Sequence, residues 1–174
     1  MDAHYDTVMD ARAKAGESGT RLYFAYSTIL DREAFLEWRD QHGYDFFELP
    51  AGELAEAQGL ALTYDFPSRW WAGRVAGLKD SPGAGVWGRL FEIPEKDWPI
   101  VQHKEGAVTG MSVERPVRVQ VGGREVEATA FTTNPVRASG DGPVSGRFVE
   151  ALVRGATSAG LPAAWTGQLA SSAK

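Results

Sequence analysis

Residues 21–30 have the sequence Arg-Leu-Tyr-Phe-Ala-Tyr-Ser-Thr-Ile-Leu, in which an aromatic run is followed by two hydroxyl residues. The run lies between a glycine and these hydroxyl residues, a composition typical of a short buried β-strand. Thr28 to Asp31 matches the Ser/Thr-x-x-acid pattern of a helix start, and a helix is predicted from Asp31 to His42. Phe35 and Trp38 are the residues of this helix expected to point inward. A strand leading directly into a helix is therefore predicted here.

The junction between this strand and this helix is a candidate binding site. The first backbone N–H groups of a helix have no partner within it, and together they can hold an anion or a carboxylate. Ser27 and Thr28 would line such a site. The alternative is an ordinary capped helix without a ligand, which accounts for most such junctions.

The remaining elements are strands and helices without a regular βαβ alternation. Strands are predicted at residues 60–66, 86–93, 117–121 and 124–132. Gly122-Gly123 joins the last two in a tight hairpin, and Ser81-Pro82-Gly83 predicts a turn. Helices are predicted over 94–105, with Pro99 in the first turn, and from the cap Ser145 to Gly160. This mixture predicts an α+β fold with a curled, largely antiparallel sheet.

Length and composition indicate one folded domain. The chain has 174 residues, of which 43% are hydrophobic and 24% charged, as in ordinary globular proteins. Residues 1–20 are predicted to form an N-terminal extension, with a weakly amphipathic segment from Asp10 to Ser18, and residues 21–174 to form the domain. The absence of cysteine excludes disulfides, thiolate nucleophiles and cysteine-based zinc sites.

The charge pattern and the N-terminal sequence restrict the partners. The net charge is -5 and the two signs are interspersed, so no nucleic-acid partner is expected. No segment approaches membrane-spanning length and residues 1–6 do not resemble a signal peptide, so we expect no membrane partner and a cytoplasmic location. His4, His42 and His103 are widely separated in sequence, which predicts neither a metal triad nor a Ser-His-Asp arrangement.

Glu105 is the candidate catalytic residue. On the predicted helix, Trp98, Val101 and Glu105 occupy positions i, i+3 and i+7 of one stripe, so the acid shares a face with two apolar residues. It also lies in the last turn, before Gly106, where the helix dipole disfavours a negative charge. Both effects raise a carboxyl pKa, as general acid/base catalysis requires. The alternative is a solvated glutamate at the end of a surface helix.

A second candidate is the segment Trp70-Trp71-Ala72-Gly73-Arg74, which is predicted to be a loop. Two aromatic residues beside a glycine and an arginine can form one wall of a ligand site. Tryptophan pairs also occur in cores and at their rims, and that packing role is the alternative.

Several segments, in their order and spacing, resemble the γ-glutamylcyclotransferase family. They are Leu22–Leu30, Ser81–Gly83 with Val86–Gly88, and Lys104–Gly106 with Thr109–Met111. Val126–Ala128 and Arg154–Ala156, leading to Gly160–Pro162, are similar to the C-terminal half of the family. The resemblance covers about residues 21–169.

The resemblance implies a single compact domain with a small barrel-like mixed sheet flanked by helices. It also implies an activity that cyclises a small-molecule γ-glutamyl substrate to 5-oxoproline and releases an amine or amino acid. Glu105 corresponds to the family's proton-transfer glutamate. No metal or other cofactor is implied, and the chain is expected to be a monomer or a homodimer.

The implied substrate-binding residues centre on the loop after the first strand. They are Tyr23, Phe24, Ala25, Tyr26, Ser27, Thr28, Ile29, Leu30, Arg74, Ser112 and Phe148. Where the family has glycine, serine and asparagine after the residue that corresponds to Tyr26, the chain has Ser27, Thr28 and Ile29. This change removes the close backbone approach that glycine allows and the polar contact of asparagine.

Other positions also depart from the family's pattern. Pocket tyrosines of better-known members correspond to Ser112, Phe131 and Phe148, and Arg74 adds a cation where relatives tend to have glycine. An altered substrate specificity is therefore expected. The alternatives are a non-catalytic binding module of the same fold and an amide hydrolase in which Glu105 activates water.

Overall fold

A five-stranded barrel forms the centre of the protein. The computed structural model describes residues 2–172, so Met1 and residues 173–174, which the predicted domain ranges include, lie outside it. The strands of the described chain are β1 (Thr20–Ala25), β2 (Glu53–Ser68), β3 (Gly73–Pro94), β4 (Ser112–Val121) and β5 (Arg124–Thr133). They follow the order β1-β3-β2-β4-β5 around the barrel, which closes through a parallel contact between β1 and β5. The other neighbours are antiparallel.

Five α-helices flank the barrel in the described part of the chain. They are α1 (Tyr5–Lys14), α2 (Arg32–Gln41), α3 (Trp98–Lys104), α4 (Gly146–Ser158) and α5 (Ala163–Ser171). This arrangement confirms the predicted α+β class with a small barrel-like mixed sheet, while α5 was not predicted from the sequence. Between residues 2 and 172, no helix has both the length and the apolarity needed to span a bilayer.

Strand β1 lies where the aromatic run predicts a buried strand. Tyr23, Phe24 and Ala25 are all buried. The ring of Tyr23 packs edge-on against Trp98 of α3 and Phe131 of β5, with centroids 5.9 Å away in both cases. Burial of a large aromatic side chain stabilises a fold by about 2–3 kcal/mol, so β1 anchors α3 to the barrel.

The segment after β1 differs from the predicted helix start in one respect. Thr28–Leu30 forms a separate 3-10 turn, and α2 begins only at Arg32. Asp31 is the N-cap of α2, and its Oδ1 accepts a hydrogen bond of 3.4 Å from the Ala34 N–H. The acid of the Ser/Thr-x-x-acid pattern therefore caps the helix by itself.

The predicted turn at Ser81-Pro82-Gly83 is wrong, because these residues lie within the single long strand β3. Asp80 pairs with Leu60 and Gly85 with Gln58, so residues 81–84 form a bulge in the β2–β3 pair. A bulge of this kind uses turn-forming residues without reversing the chain. The strands predicted at 60–66 and 86–93 are thus parts of two longer strands.

The β4–β5 hairpin and the α4 cap form as the sequence predicts. Gly122 and Gly123 have φ values of 53° and 77°, which suit the primed turn of a two-residue hairpin. The Phe148 N–H donates a hydrogen bond of 3.2 Å to Ser145 Oγ at the start of α4. Both features depend on neighbouring residues alone, which explains why they are predictable.

Helix α1 occupies part of the predicted N-terminal extension. It begins at Tyr5, earlier than the segment expected from Asp10, and ends before Gly16. Val8 is 1% exposed, and Arg12 Nε donates a hydrogen bond of 3.0 Å to Asp97 Oδ1. The helix is therefore packed against the rest of the protein.

Candidate active site

A cleft of about 1020 Å³ lies between the end of β1, the end of α3 and the start of α4. Its walls include Tyr26, Ser27 and Thr28 after β1, Lys104 and Glu105 at the end of α3, and Arg147 and Phe148 of α4. This volume is in the range of small-molecule sites. The cleft therefore contains both the predicted catalytic acid and part of the predicted binding loop.

Glu105 is the C-cap of α3, and its backbone and side chain are both held in place. Gly106 follows with φ +82°, the left-handed conformation that commonly ends a helix. Ser112 Oγ donates a hydrogen bond of 2.6 Å to the Glu105 carbonyl, and Tyr23 Oη donates one of 2.5 Å to Glu105 Oε1. The carboxyl group thus has a fixed position at the cleft.

Burial raises the pKa of the Glu105 carboxyl group above its usual value. The charge of Lys104 and the hydrogen bond from Tyr23 oppose this shift without cancelling it. The upward direction and its origin in burial confirm what the helical stripe predicts. A carboxyl group with a raised pKa is a stronger base than a solvated one.

Tyr23 and Lys104 respond to the same environment. Burial, and secondarily the negative charge of Glu105, raise the pKa of the Tyr23 phenol well above its usual value. Tyr23 therefore stays protonated and donates to the carboxylate. Burial also lowers the pKa of the Lys104 ammonium, against the attraction of Glu105 and Asp31.

The loop after β1 has unpaired backbone donors. Its 3-10 turn is closed by hydrogen bonds from Leu30 N to Ser27 O and from Asp31 N to Thr28 O, at 3.1 and 3.0 Å. Within residues 2–172, the N–H groups of Ser27, Thr28 and Ile29 donate to no protein acceptor. Ser27 and Thr28 line the cleft, so two of these donors belong to residues of the same cleft as Glu105.

The structure brings several of the predicted substrate residues to the cleft. The cleft is lined by Tyr26, Ser27, Thr28, Ser112 and Phe148. Tyr23 does not line it but donates a hydrogen bond to Glu105. The hydroxyl of Tyr26 donates a hydrogen bond of 2.5 Å to the carbonyl of Phe131, so that phenol is already engaged.

Other predicted substrate residues lie away from the cleft. Phe24, Ala25, Ile29 and Leu30 belong to the hydrophobic core. The guanidinium group of Arg74 donates to the backbone carbonyls of Tyr64 and Gly142 and does not line the cleft. In the structure, Arg74 joins β2 to the segment before α4.

Several cleft residues were not predicted from sequence. Lys104 is one, and four arginines also line the cleft, at positions 69, 137, 147 and 154. Exposed arginines in turns and on helix surfaces give no periodic signal, so the sequence does not distinguish them from solvated charges. The Trp70–Trp71 pair, for which a ligand wall was one interpretation, lies at the cleft, where Trp71 packs edge-on against Phe148 at 5.4 Å.

The three histidines lie together, although their wide separation in sequence predicted neither a metal triad nor a Ser-His-Asp arrangement. The ring centroids of His4 and His42 are 5.6 and 5.3 Å from that of His103. They converge because the segment before α1, the C-cap of α2 and the last turn of α3 meet at one point. This packing is a tertiary feature that spacing along the chain does not reveal.

Comparison with known proteins gives consistent matches. The profile of the AIG2-like family matches residues 85–169. A γ-glutamylcyclotransferase of Bos taurus is 28% identical over 160 residues, which are 88% of this chain and 78% of that protein. The Homo sapiens γ-glutamylcyclotransferase is 26% identical over 143 residues, 81% of this chain and 72% of that protein.

Solved structures share the fold. A structure described as a γ-glutamyl cyclotransferase has a TM-score of 0.72 at 23% identity, over 90% of this chain and 89% of that one. YkqA from Bacillus subtilis has a TM-score of 0.73 at 19% identity, over 97% of this chain and 59% of its own. At these identities the likeness extends to the fold alone.

Proposed function

Since the chain belongs to the γ-glutamylcyclotransferase-like family, whose profile is called AIG2-like, we propose that it cyclises a γ-glutamyl group to 5-oxoproline and releases an amine or amino acid. The observation on which the proposal rests is the carboxyl group of Glu105. It lies at the cleft, has a raised pKa because of burial, and is held by Tyr23. A fixed carboxyl group of this kind suits a residue that accepts and returns a proton.

The proposed reaction takes place within one substrate molecule. The α-ammonium group gives a proton to the Glu105 carboxylate, and the resulting amine attacks the γ-carbonyl carbon to form the ring C–N bond. As the original C–N bond breaks, Glu105 returns this proton to the departing nitrogen. A second proton passes from the ring nitrogen to the leaving amine, which departs as an ammonium ion, so no other reactant is consumed.

The protein's contribution is to fold the substrate and to stabilise charge. Holding the α-amine against the γ-carbonyl saves most of the entropy of ring closure. The carbonyl oxygen becomes negative in the tetrahedral intermediate, and the unpaired N–H groups of Ser27 and Thr28 are suitable donors to it. The Tyr23 hydroxyl stabilises the Glu105 carboxylate until the proton is taken up.

The charges around the cleft favour an anionic substrate. Basic side chains outnumber acidic ones there, since Arg69, Arg137, Arg147, Arg154 and Lys104 line the cleft against Glu37, Glu105 and Glu150. A γ-glutamyl compound has an α-carboxylate, and an amino acid as the leaving group adds a second. Guanidinium groups bind carboxylates through paired hydrogen bonds, so these arginines are suited to a γ-glutamyl amino acid or peptide.

A library of γ-glutamyl compounds, followed by mass spectrometry, tests the proposal. We expect at least one compound to give 5-oxoproline and its free amine in equal amounts, with no reaction by the Glu105→Gln variant. Running the reaction in H₂¹⁸O separates hydrolysis from cyclisation, because hydrolysis gives glutamate labelled with ¹⁸O and cyclisation gives unlabelled 5-oxoproline. Labelled glutamate would identify an amide hydrolase instead. Binding without either product would identify a binding module.

A further inference from the structure

Asp2, His42 and His103, whose side chains are of types that bind metals, lie close together and have no role in the proposed reaction. Oδ2 of Asp2 is 3.1 Å from Nε2 of His42 and 3.4 Å from Nε2 of His103. One ligand atom from each residue lies within 4.8 Å of the other two. The side chains of His103, Asp2 and His42 are 7%, 14% and 26% exposed, so the cluster is largely shielded from solvent.

The hydrogen bonds of His42 orient it as a ligand. Its Nδ1 is 2.7 Å from the carbonyl oxygen of Trp38. A carbonyl oxygen accepts and never donates, so Nδ1 bears a hydrogen. In the neutral imidazole, Nε2 then has a lone pair that faces the Asp2 carboxylate at 3.1 Å. Two electron-rich atoms at this distance repel each other unless a proton or a metal cation lies between them.

His103 also has a protein partner at Nδ1, but this partner is a hydroxyl, which can donate or accept, so it leaves the tautomer open. Its Nδ1 is 2.9 Å from the hydroxyl of Tyr44, and its Nε2 faces Asp2. Metal-binding histidines are usually held in this way, with one nitrogen on the metal and the other on a protein group. In both imidazoles, Nδ1 thus contacts a protein group while Nε2 is the atom that would bind the ion.

Two of the three distances within the cluster match a tetrahedral zinc site, and the third is below 4.8 Å. Ligand atoms about 2.0–2.1 Å from a tetrahedral Zn²⁺ lie roughly 3.3–3.4 Å from each other. The two distances from Asp2 Oδ2, 3.1 and 3.4 Å, are close to this value. We infer that Asp2, His42 and His103 bind one Zn²⁺ ion, with a solvent molecule in the fourth position.

Zinc at this position would join three elements. Asp2 precedes α1, His42 is the C-cap of α2, and His103 lies in the last turn of α3. Glu105 is two residues beyond His103, so the ion would fix the end of the helix that positions the candidate proton-transfer residue. His42 also lines the cleft, but the proposed reaction needs no metal, so the zinc site stands or fails independently of that reaction.

Zinc titration of the full chain, prepared without a polyhistidine tag, tests the inference. The chain has no cysteine and its one other histidine is His4, so the zinc ligands outside the cluster are chiefly carboxylates. Calorimetry of chelator-treated protein should show one Zn²⁺ per chain, with a dissociation constant of ~1 µM or lower. Zinc should also raise the melting temperature, because it binds the folded state.

Matched variants locate the ion. Asp2→Asn and His103→Gln should each weaken zinc binding by about 100-fold or more, since loss of an outer-shell partner alone costs about 10- to 100-fold. Asp6→Asn removes an exposed acid of α1 outside the cluster and should bind zinc like the wild type. Asp2 precedes α1 and belongs to no helix or strand, so Asp2→Asn is expected to keep the fold even if His103→Gln does not.

Two results would overturn the inference. One is the absence of zinc binding by the wild-type chain at 100-fold the expected dissociation constant, which would identify the cluster as an ion pair between Asp2 and a protonated histidine. The other is unchanged affinity in Asp2→Asn. In support, Co²⁺ bound to the wild type should give the visible absorption of a tetrahedral ion, and Asp2→Asn should abolish it.

Discussion

Tyr23 of β1 and Glu105 at the end of α3 are joined by a hydrogen bond of 2.5 Å between the phenol and the carboxylate. This bond connects the strand that closes the barrel with the helix whose last turn borders the cleft. It also sets the charge state of the pair, because burial keeps the phenol protonated and makes it the donor.

Glu105→Gln should lower turnover of a γ-glutamyl substrate by about 100-fold or more, because an amide cannot accept and return the proton. Steady-state release of 5-oxoproline measures the effect, and circular dichroism verifies that the variant is folded. Glu127→Gln is the matched control, since Glu127 is an exposed acid of β5 that does not line the cleft. Near-native turnover in Glu105→Gln would exclude Glu105 as the proton-transfer residue.

Glu105→Gln should also stabilise the fold at neutral pH. The carboxyl pKa is raised in the folded state, chiefly by burial, so the charged form is penalised there. Below the unfolded pKa the acid is protonated in both states and contributes no penalty. The penalty grows as the pH rises toward the folded pKa and is constant above it.

Thermal melts of the wild type and Glu105→Gln at several pH values between 4 and 8 measure this effect. The variant's advantage in melting temperature should be small at pH 4 and largest at pH 7 to 8. An advantage that does not change with pH would mean that ionisation of Glu105 does not destabilise the fold.

Tyr23→Phe should reduce turnover by roughly tenfold, the expected cost of one hydrogen bond to a charged group. That hydrogen bond lowers the pKa of Glu105, so its loss should raise this pKa further. The acidic limb of the pH–rate profile should therefore move to higher pH. Tyr5→Phe is the control, because Tyr5 lies in α1 and stacks on Tyr44 away from the cleft. A reduced rate without a shift of the acidic limb would indicate a packing effect alone.

Gly88→Ala should destabilise the barrel by about 3 kcal/mol or more, the upper range for overpacking. A Cβ at this position of β3 would lie 2.8 Å from Cζ of Phe24 and closer still to the Ala25 carbonyl oxygen. Gly167→Ala is the control, since a Cβ there meets nothing within 4 Å and alanine favours the helix α5. Urea unfolding measures both, and equal midpoints would show that β1 and β3 can separate to admit the methyl group.

Much of the fold is predictable from the sequence because its signals are local. The glycine pair of the β4–β5 hairpin and the Ser145 cap of α4 act on their immediate neighbours, and both form as predicted. The bulge at residues 81–84 is not predictable in this way, since a Pro-Gly pair suits a turn equally well. Whether the chain reverses there depends on the partner strand β2.

The candidate site is only partly predictable for the same reason. The apolar stripe of α3 indicates that Glu105 is unusual, but its partner Tyr23 lies 82 residues away and is brought to it by packing of α3 on β1. For Arg74 the sequence is misleading, because a cation beside a tryptophan pair suggests a ligand contact. The structure instead directs its guanidinium group to two backbone carbonyls.

Closure of the barrel has a consequence for folding. The β2–β3 and β4–β5 pairs join segments adjacent in sequence, whereas Tyr23 meets Thr129 of β5 across roughly 100 residues. Contacts between such distant segments are the slow part of folding, because the entropy of closing the intervening chain is lost before they form. The strand that completes the barrel also supplies the phenol that holds Glu105. Intermediates with both hairpins formed but β1 undocked would lack this phenol and also the Ser27–Thr28 loop at the cleft, so recovery of turnover during refolding should follow the docking of β1.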